Sequence, residues 1–314
     1  MNWLVLTLMS LIAWALVDVL SKYVSTEKDP DAYLELIIVV GLFLLPTFFS
    51  SVQESESGMS VLNIIWTYKI WIIVPLCYIL DLWGSFFPLK YLEISIVSPI
   101  VNTAGVVSVA VLLVYYFSTG SIDSIWEVLN VRTLVGMIII TAALIALGYV
   151  EEKKAGKSFS DRPKEKWYSF GAAMLIIPLA AALFEGLEGI LAGIVLDPER
   201  GFGVGENDYW ILYSVVCVTS AVFIWIYLFI KNKKPYNPFR LCEWPKFAVA
   251  ILEVVGESWW LSAIADEPLI VAFLSCTYCV FTVVLSRILL KEKMTKAQYI
   301  CVALVISGII IVGQ

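Results

Sequence analysis

The sequence predicts an all-α integral membrane protein of ten transmembrane helices, built as two inverted five-helix repeats. Three observations predict this fold: an apolar composition, ten apolar stretches of spanning length, and a repeat of acidic positions between the two halves. Hydrophobic residues make up 60% of the 314 residues and charged residues 15%, whereas soluble domains are about half apolar and about a quarter charged. The expected solvent is therefore lipid.

Ten segments have the roughly 17–25 mostly apolar residues that a spanning helix needs. They are residues 2–24, 32–52, 69–91, 94–118, 131–150, 168–196, 209–230, 245–265, 268–290 and 296–313. The odd-numbered joints between them and the adjoining helix ends carry 18 of the 21 Lys and Arg residues. The positive-inside rule then predicts that these joints face the cytoplasm and both termini face outward. The expected location is the cell membrane.

The two halves of the chain carry matching motifs. Residues 80–89 in the third helix align with residues 252–261 in the eighth at a shift of 172, and the first helix aligns with the sixth at a shift of 170. The matched positions are Asp81 with Glu253, Gly84 with Gly256, Trp14 with Phe184, and Asp18 with Glu188. Because each repeat has an odd number of helices, the second copy is inverted. The predicted repeats are residues 1–152 and 168–314, joined by a cytoplasmic linker at 153–167.

Two helix ends carry a family resemblance. Residues 89–92, followed by the start of the fourth helix at 95–99, form one junction, and residues 289–293 running into 303–313 form the other. With the two-times-five layout, these ends resemble the EamA-like members of the drug/metabolite transporter superfamily. The resemblance implies a transporter and leaves the substrate open. The number of acids inside the helices departs from ordinary members.

Six carboxylates lie well inside the predicted spans: Asp18, Asp81, Glu185, Glu188, Glu253 and Glu257. Each would cost about 2.5–3.5 kcal/mol if it faced lipid at the bilayer centre. We therefore expect them to share a polar interior or a water-filled cleft. Lys22, one turn after Asp18, is the nearest basic partner, and a simple Asp18–Lys22 pair is the alternative for that residue.

Helical spacing sets aromatic rings beside these acids. Trp14 and Asp18 are four residues apart, and so are Phe184 and Glu188. A carboxylate beside aromatic faces suits an organic cation, because the acid supplies charge and the rings supply cation–π attraction. The alternative is that the rings belong to interface belts or packing. The candidate substrate-binding residues are Trp14, Asp18, Tyr78, Asp81, Asn102, Phe184, Glu188, Glu253, Glu257, Trp260 and Tyr278.

Two pairs of acids lie on adjacent turns. Glu253 and Glu257 are four residues apart on the eighth helix, and Glu185 and Glu188 are three residues apart on the sixth. Two carboxylates this close in a low dielectric do not both ionise and titrate as a coupled pair. A carboxyl that keeps its proton can exchange it for a cation. Glu253, Glu257 and Glu185 are therefore candidates for proton coupling.

The sequence also narrows the function class. It contains no His, which removes the commonest metal ligand, and no GxxxxGK[ST] loop, so we expect no metal, no cofactor and no ATP hydrolysis. The basic residues form no patch that would bind nucleic acid. The favoured function is a secondary transporter, not an enzyme, that moves a small amine-bearing solute by alternating access, with protons as the candidate counter-ion. The oligomeric state stays open.

Other functions remain alternatives. A nucleotide-sugar or sugar-phosphate carrier would want Lys or Arg in its cleft. An intramembrane enzyme could use paired carboxylates such as Asp18 and Asp81 for acid–base hydrolysis. A receptor or assembly factor that transports nothing is a third class.

Overall fold

The computed structural model describes residues 2–24, 31–89, 101, 104–154, 176–289 and 294–313. The described chain folds into twelve α-helices, with short 3-10 turns at Lys69–Ile72, Ile125–Glu127 and Leu241–Glu243. The helices are α1 (Trp3–Val24), α2 (Ala32–Gln53), α3 (Val61–Thr67), α4 (Ile73–Leu89), α5 (Ala104–Thr119), α6 (Val131–Lys154), α7 (Ile176–Leu196), α8 (Glu206–Asn232), α9 (Trp244–Asp266), α10 (Pro268–Ser275), α11 (Tyr278–Leu289) and α12 (Lys296–Val312).

Seven helical stretches of the described chain are long and apolar enough to cross a membrane. They are Trp3–Ser21, Ala32–Gln53, Lys69–Pro88, Ile176–Leu196, Glu206–Asn232, Leu241–Asp266 and Pro268–Leu289. Three shorter apolar helices, Ser108–Thr119, Val131–Leu147 and Lys296–Val312, fall within the remaining three predicted segments. The total of ten crossings stays a prediction. Of the predicted linker 153–167, only the first two residues are described.

The outer surface of the bundle is apolar. Ile145 is 71% exposed, Phe223 67% and Val114 67%, and each lies in the middle part of its helix. Large contiguous apolar surfaces of this kind mark contact with a membrane or another protein. Together with the apolar helices, this surface identifies an integral membrane protein.

The ninth predicted segment, 268–290, is not one continuous helix. The chain between α10 and α11 tightens into a turn, because the backbone N–H groups of Cys276 and Thr277 bond to carbonyls three residues earlier. Gly105 of α5 crosses at this break, and a Cβ on it would lie 2.8 Å from the carbonyl oxygen of Ala272. The break thus occurs where two helices approach backbone to backbone.

Both ends of α2 are tied to α8. At one end Asp31 accepts a hydrogen bond from Lys231 at 2.5 Å. At the other, the Glu56 carboxylate accepts the backbone N–H groups of Asn207 and Asp208 at 3.1 and 3.3 Å and so caps the first turn of α8. The ends of α2 and α8 therefore coincide, so that the joint before α2 lies beside the one after α8.

A buried ion-pair cluster ties α2 to α9. Lys246 of α9 pairs with Glu35 of α2 and, at 2.7 Å, with Glu243 of the preceding turn. The Lys246 side chain is 7% exposed. Glu35, which lies near the start of its helix, therefore serves a structural contact.

The helices pack in recurring pairs. α1 packs against α9, α4 against α7, α2 against α8, α6 against α12, and α5 against α10. Gly136 and Gly308 bring α6 and α12 into backbone contact, since a Cβ on either would lie 3.0–3.1 Å from the other's carbonyl oxygen. A side chain at either position would force these two helices apart.

We expect Gly136→Leu to destabilise the protein by about 1–3 kcal/mol, the usual cost of overpacking a close contact. Thermal unfolding of the purified protein in detergent measures this as a lower melting temperature. The control is Ala142→Leu, which adds the same side chain to an exposed position of the same helix. Equal melting temperatures for the two variants would show that the α6–α12 contact is not tight.

Candidate functional site

A cavity of about 80 Å³ lies where α1, α4, α5, α7 and α9–α11 meet. All six carboxylates expected inside the spans line it: Asp18, Asp81, Glu185, Glu188, Glu253 and Glu257. None of the described residues that line it is Lys or Arg. The cavity therefore gathers acidic groups without a described basic partner in its wall.

The cavity lies near the middle of the bundle. Asp81 is eight residues from either end of α4, which places it about 12 Å from each end. Glu253 lies nine residues, roughly 13 Å, from the start of α9. Both acids thus lie at the depth where a charge facing lipid costs most, and the cavity gives them a polar interior instead.

Neutral hydroxyl groups hold three of the carboxylates. Ser85 donates to the Oδ1 atom of Asp81 at 2.9 Å, and Thr282 donates to the Oδ2 atom of Asp18 at 3.1 Å. Tyr78 donates to the Oε1 atom of Glu253 at 3.2 Å. These bonds orient the acids without adding a positive charge.

Tyr213 of α8 lies behind the cavity and contacts two acids at once. Its hydroxyl oxygen is 2.9 Å from the Oε1 atom of Glu188 and 3.1 Å from that of Glu257. Sequence reasoning missed this residue. A signal was present in the sequence, because Tyr209, Tyr213 and Cys217 form a stripe at four-residue spacing in a helix whose other residues over that stretch are apolar except Ser214. All three are buried.

Three of the five aromatic rings that line the cavity lie close together. The Trp14 ring centroid lies 6.0 Å from that of Trp260 and 6.2 Å from that of Tyr278. Trp260 is fixed by its Nε1–H bond to Ser275 at 2.8 Å. Gly256 makes room for Trp14, since a Cβ there would lie 3.1 Å from the indole ring.

One predicted site residue does not line the cavity. Phe184 is half-buried on α7 and is absent from the wall. The reason is that the matching helix pairs of the two halves pack about one turn out of register. Gly84 packs on Ala181, whereas its sequence match Gly256 packs on Trp14. This register sets Ala181, not Phe184, in the place that Trp14 takes in the other half.

Two further sequence predictions fall on residues without a described placement. Asn102 lies outside the described residues, and so does the side chain of Lys22. The remaining predicted site residues all line the cavity: Trp14, Asp18, Tyr78, Asp81, Glu188, Glu253, Glu257, Trp260 and Tyr278.

Glu185 differs from the other acids in its bonding. Its Oε2 atom is buried and has no hydrogen-bond partner among the described residues. An unsatisfied buried carboxylate oxygen is costly and is commonly found where water, an ion or a ligand completes the site. Glu185 therefore presents an acceptor to whatever occupies the cavity.

Comparison with known proteins finds a family match in the second half of the chain. Residues 172–314 match the sequence model of the EamA-like transporter family. This match confirms the predicted resemblance to the drug/metabolite transporter superfamily, whose EamA-like members are transporters and not enzymes.

Solved structures share the fold. One crystal structure aligns with a TM-score of 0.65 at 15% identity, over 98% of this chain and 95% of that one. In total, 21 chains of solved structures match this chain. No curated protein matches the sequence. At this identity the structural likeness establishes the fold alone.

We expect Asp81→Asn to stabilise the protein when no solute is bound. Asn keeps an oxygen that accepts from Ser85 but removes one ionisable carboxyl from a group of six, so the gain should fall within the roughly 0.5–2 kcal/mol that single stabilising substitutions give. Thermal unfolding should show a larger gain in alkaline than in mildly acidic buffer, because the neighbouring carboxylates are more fully ionised there. The control is Glu54→Gln at an exposed position. A lower melting temperature for Asp81→Asn would mean that its charge is compensated.

Proposed function

We propose that this protein is a secondary transporter that carries a small amine-bearing organic solute, a cation or a zwitterion, across the cell membrane. The observation that carries the proposal is the joint lining of one mid-bundle cavity by six carboxylates and five aromatic rings, three of which lie close together. A positive charge on the solute would attract the negative charge of the acids. The EamA-like match of residues 172–314 supports transport as the function class.

The chemistry of the wall favours an ammonium group over a metal ion. Trp14, Trp260 and Tyr278 offer π faces that attract an organic cation without requiring it to keep its hydration shell. Amine protons can donate to Asp18, Asp81 or the unpartnered oxygen of Glu185. Aromatic faces offer nothing comparable to a hard cation, which takes oxygen ligands.

Cavity size favours a small solute. A volume of about 80 Å³ holds about six water molecules at roughly 10–15 Å³ each. That space suits a small amine of similar atom count and is several times too small for a nucleotide sugar. The absence of Lys and Arg from the described wall argues against an anionic substrate as well.

Packing supports two inverted repeats that rock against each other. Exchanging the first-half helices for their second-half counterparts turns the α1–α9 pair into the α7–α4 pair, and both pairs occur. Gly136 and Gly308, which meet across α6 and α12, are separated by 172 residues, the same shift as Asp81 and Glu253. In such folds the solute site lies at the repeat interface, and access alternates as one repeat moves against the other.

Proton exchange provides a driving force. Several of the carboxyls face one another in a water-poor site, so some of them hold protons when no cation is present. An entering cation favours ionised carboxylates and releases protons. The carrier would then act as an antiporter.

A thermal-shift screen in detergent tests the substrate class. We expect choline, a polyamine or an amino acid to stabilise the protein by about 2.7 kcal/mol at a hundredfold excess over its Kd. Asp81→Asn should abolish the shift, and Glu54→Gln should leave it intact. A shift with a nucleotide sugar that survives Asp81→Asn would refute the cation site and retain the transporter.

Glu253→Gln tests proton coupling. Choline or putrescine uptake into proteoliposomes should depend on pH in the wild type and depend on it less steeply in the variant, because one of the exchanging carboxyl groups is replaced by an amide that does not titrate. Gln keeps an oxygen that accepts from Tyr78, so the local bond survives. An unchanged pH profile would exclude Glu253 from the coupling step.

A further inference from the structure

The contact of Tyr213 with two carboxyl groups determines how many protons these three side chains hold together. A tyrosine hydroxyl has one proton to donate. Both Glu188 and Glu257 lie within hydrogen-bond distance of it, at 2.9 and 3.1 Å. If both carboxyls were ionised, one of them would face the hydroxyl oxygen with no hydrogen between. The arrangement is satisfied when one carboxyl carries a proton and donates it to Tyr213 while Tyr213 donates to the other.

The three side chains are buried, so a water molecule does not readily take the place of that proton. Glu188 is 5% exposed, Glu257 3% and Tyr213 0%. The three side chains come from α7, α9 and α8, so the contact closes only when these helices are together. A second charge in this position would be unscreened by solvent.

Within the described part of the chain, the groups around the three side chains supply no positive charge. The titratable groups that face them from the packed helices are Cys77, Tyr78, Asp81, Glu185, Tyr209, Cys217 and Glu253. All are acidic or neutral. The neighbourhood among described residues therefore reinforces retention of a proton.

We propose that Glu188, Tyr213 and Glu257 form a shared site that binds one exchangeable proton, separate from the acids that receive the solute. This inference rests on the proposed transport function and assigns one of its exchanged protons to particular atoms. The bonding separates the two roles. The Oε1 atoms of Glu188 and Glu257 are occupied by Tyr213, whereas the Oε2 atom of Glu185 has no hydrogen-bond partner among the described residues and can accept from an amine.

A route for the proton leads along α8. Tyr209, one turn before Tyr213, has a buried hydroxyl with no hydrogen-bond partner among the described residues. Its ring centroid lies 5.8 Å from that of Tyr213, and it is three residues from the start of the helix. A water molecule at this hydroxyl would satisfy it and connect the shared site with the end of the bundle.

The exchange balances without any other reactant. When the solute's positive charge enters, the protonated carboxyl of the shared site loses its proton to water and becomes a carboxylate. When the solute leaves, the site takes one proton back. No covalent bond to carbon forms or breaks.

Infrared spectroscopy of the solute-free protein tests the shared site directly. The carbonyl stretch of protonated carboxyl groups should be present at neutral pH and should lose the intensity of one carboxyl in Glu188→Gln and equally in Glu257→Gln, because removing either acid lets Tyr213 satisfy the other as an ion. Glu54→Gln should leave the band unchanged. An unchanged band in both Gln variants would overturn the proposal, and a loss in only one would assign the proton to that residue alone and overturn the sharing.

Proton release on binding tests the exchange, with choline and putrescine as probes in weakly buffered detergent solution. The wild type should release about one more proton per bound probe than either Gln variant, since the variants have no shared proton to give. Equal release in wild type and variants would refute the exchange. If neither probe binds, the proposed substrate class fails while the infrared result still decides the proton site.

Discussion

The cost of placing a carboxylate in a membrane governs this structure. Six acids facing lipid would together cost roughly 15–20 kcal/mol, more than the whole stability of a typical fold. The fold can accommodate these acids only when the helices that carry them direct the carboxylates into a common cavity. The packing of α1 on α9 and of α4 on α7 achieves this, because each helix contributes at least one acid to the same space.

Neutral hydrogen-bond donors stabilise the carboxylates in the cavity without cancelling their charge. Ser85, Thr282 and Tyr78 each give one hydrogen bond to an acid, and Tyr213 serves two acids. A Lys or Arg in the same place would neutralise the acids permanently and occupy the site. Hydroxyl groups orient the carboxylates and leave their interaction with a cation or a proton reversible, which a carrier needs.

Small residues determine how closely the helices approach and therefore where the rings lie. Gly256 allows the Trp14 indole to lie against α9, whereas the three atoms nearest to a Cβ on Gly84 all belong to Ala181 of α7. The two matched glycines therefore meet side chains of different chemistry, although the acids of the cavity come from both halves.

The sequence by itself determined the membrane setting, the helical segments and the identity of the six acids, because hydropathy and the cost of buried charge are properties of single residues and their neighbours along the chain. Only the tertiary structure decided which rings accompany the acids. It excluded Phe184 from the wall, since a one-turn shift between α1 and α7 depends on packing at Ala181. It also brought in Tyr213, since a contact between α7, α8 and α9 joins residues 25 and 44 positions apart, a distance that no periodicity within one helix records.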